Sequence, residues 1–202
     1  MPDQSNNQWA IYKERLAREL NERRYEHSLR VAATAKELAE FWGENAQKAE
    51  LAGLLHDVAR GLSVEDYYKI AQEAGIEVTE AEKINPVVLH APIGAYLLQK
   101  EWGIEDEEIL EAVAGHTVAG PSMSNFSKII FLADMIEPGR NWPVLKKIRR
   151  LAYLDLNEAM LVSLSAVFDW LRKSGSNIHP FAYRAHEYFR QQVEDRDNQK
   201  ST

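Results

Sequence analysis

Six histidines are spread along the 202 residues, at positions 27, 56, 90, 116, 179 and 186, and two aspartates stand where an aspartate is costly. His56-Asp57 follows directly on Leu54 and Leu55 in an apolar run, and Asp134 interrupts Ile129-Ile130-Phe131-Leu132-Ala133, the most apolar stretch in the chain. A carboxylate removed from water needs a cation or several donors around it, so each aspartate implies a partner. His27 falls at helical spacing with Val31, Thr34 and Leu38. Read singly, His27 is an ordinary boundary residue and Asp134 a core carboxylate satisfied by an arginine or a helix N-terminus. Read together, two neutral imidazoles and two carboxylates form a ligand set for Fe, Mn, Zn, Co or Ni, too rich in nitrogen for Ca or Mg. Open positions on such an ion would take water and a phosphoryl oxygen, which suits hydrolysis without a protein nucleophile.

The elements that must position these groups read as helices. Trp9, Tyr12, Leu16 and Leu20 recur at three- and four-residue steps. A second helix is expected over 24–42, stopped by Gly43, and a third over 45–59, ending at Gly61. Ser63 and Asp66 form a capping box for a fourth, closed by Gly75. Pro92 marks the start of another, with His90 just before it in the place of a capping residue. Further helices follow over 106–114, over 124–136 before Pro138-Gly139, from Asp155 and Glu158 to Arg172, and after Pro180. No strand alternation and no repeat is present. The expected fold class is all-α, a single domain over 1–193, with 194–202 a charged tail without fixed structure.

Composition narrows the function. Hydrophobic residues make up 45% of the chain, enough for a sizeable core. There are no cysteines, which removes disulfides, thiolate metal sites and cysteine nucleophiles. Residues 1–7 are polar, without the basic start and apolar run of a signal peptide, and no stretch approaches the roughly 20 apolar residues that span a bilayer. A cytoplasmic protein without a membrane partner is expected. The net charge of −7 disfavours long nucleic acid as a partner but leaves a small phosphorylated substrate open.

The order His27, His56-Asp57, then a distant Asp134 resembles the signature of the HD-domain phosphohydrolases, and specifically their YqeK-like branch. Blocks 24–31, 54–60, 89–95, 115–117, 128–140 and 177–180 carry the resemblance, so it covers most of the chain. One departure is Val118-Ala119-Gly120 after His116-Thr117, where the branch has a second Thr-Gly step. The resemblance implies an HD-type helical bundle and a symmetrical bis(5'-nucleosyl)-tetraphosphatase, cutting diadenosine tetraphosphate into two ADP by metal-activated water. It implies His27, His56, Asp57 and Asp134 as metal ligands, His56 and Asp57 as the catalytic pair, and iron as the metal, in one or two ions. His90 and His116 become ligands of a second metal or donors to phosphate. Arg24, Arg60 and Arg140, close in sequence to ligands, are candidates for phosphate contacts, as are Lys128, Thr117 and His179, although isolated cations usually belong to solvated surface. The rivals are an HD phosphohydrolase of another nucleotide (a nucleoside monophosphate, deoxynucleotide or cyclic dinucleotide) and a nucleotide sensor without turnover. The five tryptophans and eight tyrosines, spaced along helices, read as core and give no base platform.

Overall fold

The structure, a computed structural model, describes residues 4–200; residues 1–3 and 201–202, parts of the expected polar start and charged tail, lie outside them. Among the described residues the chain forms eleven α-helices, one 3-10 turn and no strand. α1 (Gln4–Glu19) leads to Asn21, whose side chain accepts the Arg24 N–H and opens α2 (Glu22–Trp42). α3 (Ala46–Leu55) follows, then α4 (Val64–Ala74), with the capping box at Ser63 and Asp66 in place. α6 (His90–Trp102), α7 (Glu107–Gly115), α8 (Asn125–Ile136), α10 (Leu156–Lys173) and α11 (Pro180–Lys200) match the expected helices.

Four features differ from the sequence reading. First, α3 ends at Leu55, not at Ala59. Residues 56–62 instead form tight turns, in which the N–H groups of Val58, Arg60 and Leu62 reach carbonyls three residues back. Second, three short elements fill segments read as loop: α5 (Glu80–Ile84), capped by Thr79 and Glu82, the 3-10 turn Pro86–Leu89, and α9 (Leu145–Leu151). Third, α6 grows directly out of that turn. It begins at His90, two residues before Pro92, and the His90 side chain caps nothing ahead of it. Fourth, the charged residues 194–200 are helical: α11 runs on to Lys200, and Arg196 binds both Asp155 and Glu158 at the start of α10.

The core is centred on α8, which packs against α2, α3, α7, α9 and α10. Ile129, Ile130, Leu132 and Ala133 have no exposed surface, so Asp134 is delivered from the middle of the core to its wall. α2 and α3 approach closely because Gly53 has no side chain. A Cβ there would lie 3.0 Å from the Ala32 Cα and 3.1 Å from the Val31 carbonyl oxygen. His27 stands one turn before Val31, and His56 three residues after Gly53, so this contact sets their separation. In the loop after α7, Ala119 adopts the left-handed region at φ 62°, a conformation that favours glycine. That conformation costs an alanine roughly 1–2 kcal/mol. Its buried methyl offsets about 0.8 kcal/mol of the cost.

Gly53→Ala should force α2 and α3 apart and lower stability by about 1–3 kcal/mol, as overpacking of a close contact does. Denaturant unfolding monitored by circular dichroism measures it, and an unchanged midpoint would show that the two helices are not held by this contact.

Candidate metal centre

Five elements bring their polar groups to one place: α2 supplies His27, the 56–62 turns His56 and Asp57, α6 His90, the end of α7 His116, and α8 Asp134. His56 has no exposed surface, and Asp57, His90, His116 and His27 are all buried. Each ring is oriented the same way. The Nδ1 of His56 faces the Gly53 carbonyl at 2.8 Å, that of His116 the Val113 carbonyl at 2.6 Å, and that of His90 the Val87 carbonyl. A carbonyl can only accept, so Nδ1 carries the proton and each Nε2 keeps a lone pair. For His27 the acceptor is Glu137, whose Oε1 lies 3.1 Å from Nδ1.

Those Nε2 atoms converge. His27 Nε2 lies 2.9 Å from Asp134 Oδ1, and His56 Nε2 lies 3.7 Å from Asp57 Oδ2 and 3.9 Å from Asp134 Oδ1. Both nitrogens are buried and without a hydrogen-bond partner. The close His27–Asp134 approach sets a ring nitrogen against a carboxylate oxygen, an arrangement that a cation between them would satisfy. On the other side, His90 Nε2 lies 3.1 Å from Asp57 Oδ1 and 3.1 Å from His116 Nε2. The Asp57 carboxylate stands between the two sets and is shared by them. Lone pairs and anionic oxygens crowded out of water repel unless a cation lies among them, so the donor set fits a divalent metal.

The protonation states of His56 and His116 agree, whereas at His27 burial is outweighed by Asp134 and Glu137, which raise the imidazole above its ordinary value, so a cation there would take the place of a proton. Burial pushes the His56 imidazole below its ordinary value, and burial with the neighbouring His56 and His90 pushes His116 down to about 3. Both are neutral near pH 7, as metal ligands must be. Burial raises Asp57, but His56, His90 and His116 outweigh it and hold the carboxyl well below the usual range. For Asp134, burial is likewise outweighed by His27, His56 and Arg140, so it too is ionised.

The cluster forms the floor of a cavity of about 260 Å³ whose wall includes Arg24, Arg60, Thr117 and Arg140. Arg24 donates to Asp57 at 2.9 Å and Arg140 to Asp134 at 2.6 Å, and both remain more than a third exposed. Thr117 Oγ1 lies 3.2 Å from His90 Nε2 and 3.3 Å from His116 Nε2. Two expected contacts are elsewhere. Lys128 is buried against Phe189 and donates to Asn125, and it does not line this cavity. His179 pairs with Glu82 at 2.8 Å and lines a neighbouring apolar cavity of about 180 Å³. His186 faces Ser165 and stacks on Phe168, an ordinary contact between α10 and α11.

Sequence reasoning gives no role to Glu137 or Arg30. Glu137 is almost wholly buried and binds His27, the Arg30 Nε at 2.6 Å and the Gly139 N–H at 2.5 Å. A signal for it is present in the chain: a carboxylate one turn after Asp134, closing the most apolar helix just before Pro138.

Fold and site together define an all-helical domain built around a buried histidine–carboxylate centre for divalent metal. The chain belongs to the HD domain family, whose model matches residues 24–139. It is 37% identical over 170 residues, 84% of this chain and 91% of the relative, to a symmetrical bis(5'-nucleosyl)-tetraphosphatase of Bacillus subtilis. It is 41% identical, over 80% of this chain and 86% of the relative, to one of the same name from Halalkalibacterium halodurans. A crystal structure from Clostridium acetobutylicum, described as a "predicted HD superfamily hydrolase involved in NAD metabolism", superposes with a TM-score of 0.88 at 36% identity, covering 91% of this chain and 97% of that one.

Glu137→Ala should weaken divalent-metal affinity by about 10- to 100-fold while the helix content holds, because it frees the His27 ring that Glu137 orients. Competition with a chelator for Mn²⁺ measures this, and wild-type affinity in the variant would show that His27 is positioned without Glu137.

Proposed function

We propose that this chain is a metal-dependent phosphohydrolase that cleaves diadenosine tetraphosphate symmetrically into two ADP. The observation that carries the reading is the shared Asp57 carboxylate, set between two groups of histidines at the floor of an arginine-lined cavity. The names of the relatives supply the substrate; the chemistry of the cavity supports a phosphate anhydride. Residues His27, His56, Asp57 and Asp134 would hold one ion. His90 and His116 present lone pairs, which bind a cation and repel a phosphate oxygen, and this favours a second ion shared with Asp57 over a role as phosphate donors. The nitrogen-rich set suits iron, with Mn, Co, Ni or Zn as alternatives. Bound metal supplies Lewis acidity, lowering the pKa of water at the site and drawing charge from a phosphoryl oxygen.

The rest falls to the side chains. Asp57, ionised and anchored by Arg24, accepts a hydrogen bond from the attacking water and orients its oxygen toward phosphorus. Arg24, Arg60 and Arg140 meet the non-bridging oxygens, where negative charge builds in the transition state. Arg24 and Arg140 each spend part of a five-donor fork on a carboxylate and keep the remainder for phosphate. Water adds to one of the two central phosphorus atoms and gives up its protons to solvent, the central P–O–P bridge breaks, and ADP leaves on its own diphosphate. That leaving group is already stable as an anion, so no dedicated general acid is required. Thr117 lies at the same wall as a hydroxyl donor, and His179 stands at the adjoining apolar cavity on the substrate's path. Acting on a free nucleotide, the enzyme would work in the cytoplasm. Among the described residues no helix is long and apolar enough to cross a membrane.

Incubation of the metal-loaded protein with diadenosine tetraphosphate, followed by anion-exchange analysis, should yield ADP as sole product. Asp57→Ala should lower turnover by about 1000-fold or more, the scale of losing metal chemistry and water orientation together. AMP with ATP would reject the symmetrical cut, and turnover of another nucleotide alone in a substrate panel would reject the assignment.

A further inference from the structure

One tryptophan lines the arginine-lined cavity and a second stands against it, both partly exposed. Trp142 lies two residues after Arg140 and lines the cavity itself, and Trp170 lies one helical turn after Val167, which lines it too. Their rings face one another at 6.2 Å between centroids, inclined by 28°. Trp142 is 37% exposed and Trp170 54%. Other indoles are used differently: Trp102 is buried in the core, and Trp42 donates its Nε1–H to the Ala152 carbonyl. Burial therefore does not account for the facing pair.

The segment carrying Trp142 is fixed. Arg149 donates to the carbonyls of Ile136, Glu137 and Arg140 at 2.9, 3.1 and 3.2 Å, tying the chain after α8 onto α9. The same short loop thus presents a guanidinium and, two residues on, an indole to the cavity. A ligand matching both is anionic at one end and flat and aromatic at the other. We propose that the Trp142–Trp170 pair is the stacking surface for a nucleobase of the substrate, a purine in preference to a pyrimidine because its larger face covers more of the indole. This rests on the nucleotide hydrolase reading and adds to it the residues that sense the base. Trp142 would act on binding, and through it on KM, without touching the reacting phosphorus.

The test compares wild type, Trp142→Leu, Trp142→Phe and Trp170→Leu, all metal-loaded, in titrations with ADP and with pyrophosphate, which has no base. Base stacking on an aromatic side chain is worth enough that its loss should weaken ADP binding on the order of 10- to 100-fold in Trp142→Leu. Trp170→Leu should lose less, and Trp142→Phe should keep most of the affinity. Pyrophosphate affinity should be unchanged in all of them, and ADP should quench tryptophan emission in wild type more than in Trp142→Leu. Wild-type ADP affinity in Trp142→Leu would overturn the proposal, all the more if that variant instead lost self-association in sedimentation, which would make the pair an interface between copies. A parallel loss of pyrophosphate binding would overturn it as well, by showing a merely structural role. Failure of wild type to hydrolyse diadenosine tetraphosphate would defeat the substrate assignment alone, since the ADP and pyrophosphate titrations would still decide the stacking.

Discussion

Buried anions and lone pairs directed at one point govern this structure. Asp57 and Asp134 are both held ionised, and the buried, neutral rings of His56 and His116 turn their Nε2 lone pairs towards them. Breaking a buried charge pair by removing one partner typically costs 3–5 kcal/mol, so a centre of this kind is stable only with positive charge in its midst. Two guanidiniums reach it from the cavity side. A divalent cation among the ligand atoms supplies the rest, which is why a metal is the natural complement of this core.

The helices around the centre serve that constraint. An Nδ1–H bonded to a carbonyl three residues back fixes His56, His90 and His116, so the backbone itself orients three of the rings. His27, in the first half of α2, has its turn-preceding carbonyls occupied by the helix and relies on Glu137 from the end of α8. Glu137 in turn is held by Arg30 and the Gly139 N–H, so α2 and α8 are locked by the same network that aims the ring. The early end of α3 belongs to this design. In a regular helix the side chains of neighbouring residues diverge by about 100°, whereas the turns at 56–62 let His56 and Asp57 serve one centre.

Much of this is legible in the amino-acid sequence. A histidine and two aspartates set in apolar stretches violate the ordinary pattern of a core, and the violation locates the site. Caps at Ser63, Asp106, Ser124 and Asp155 mark helix starts because each supplies a side-chain acceptor for free N–H groups. The short α5 and α9 stay hidden since neither is long enough to show a period. Arg196 cannot reveal that it holds α11 to the start of α10, because its partners are about 40 residues away. Lys128 misleads for a related reason: proximity in sequence to Asp134 says nothing about the helix face, and six residues apart the two side chains point to different places. Trp142 and Trp170 read as core because aromatic residues usually are, and only their position at and beside the cavity distinguishes them.

The central claim, that a divalent cation completes this core, is tested most directly by melting the chelator-treated wild-type protein while Mn²⁺ is added back. Binding confined to the folded state stabilises it by about 2.7 kcal/mol at 100 times the dissociation constant. For a chain of this size that is a rise in Tm of roughly 5–10 °C, which should continue to increase with metal concentration. A Tm identical with and without metal through the millimolar range would contradict the account, since the buried ligands would then be satisfied by the protein alone.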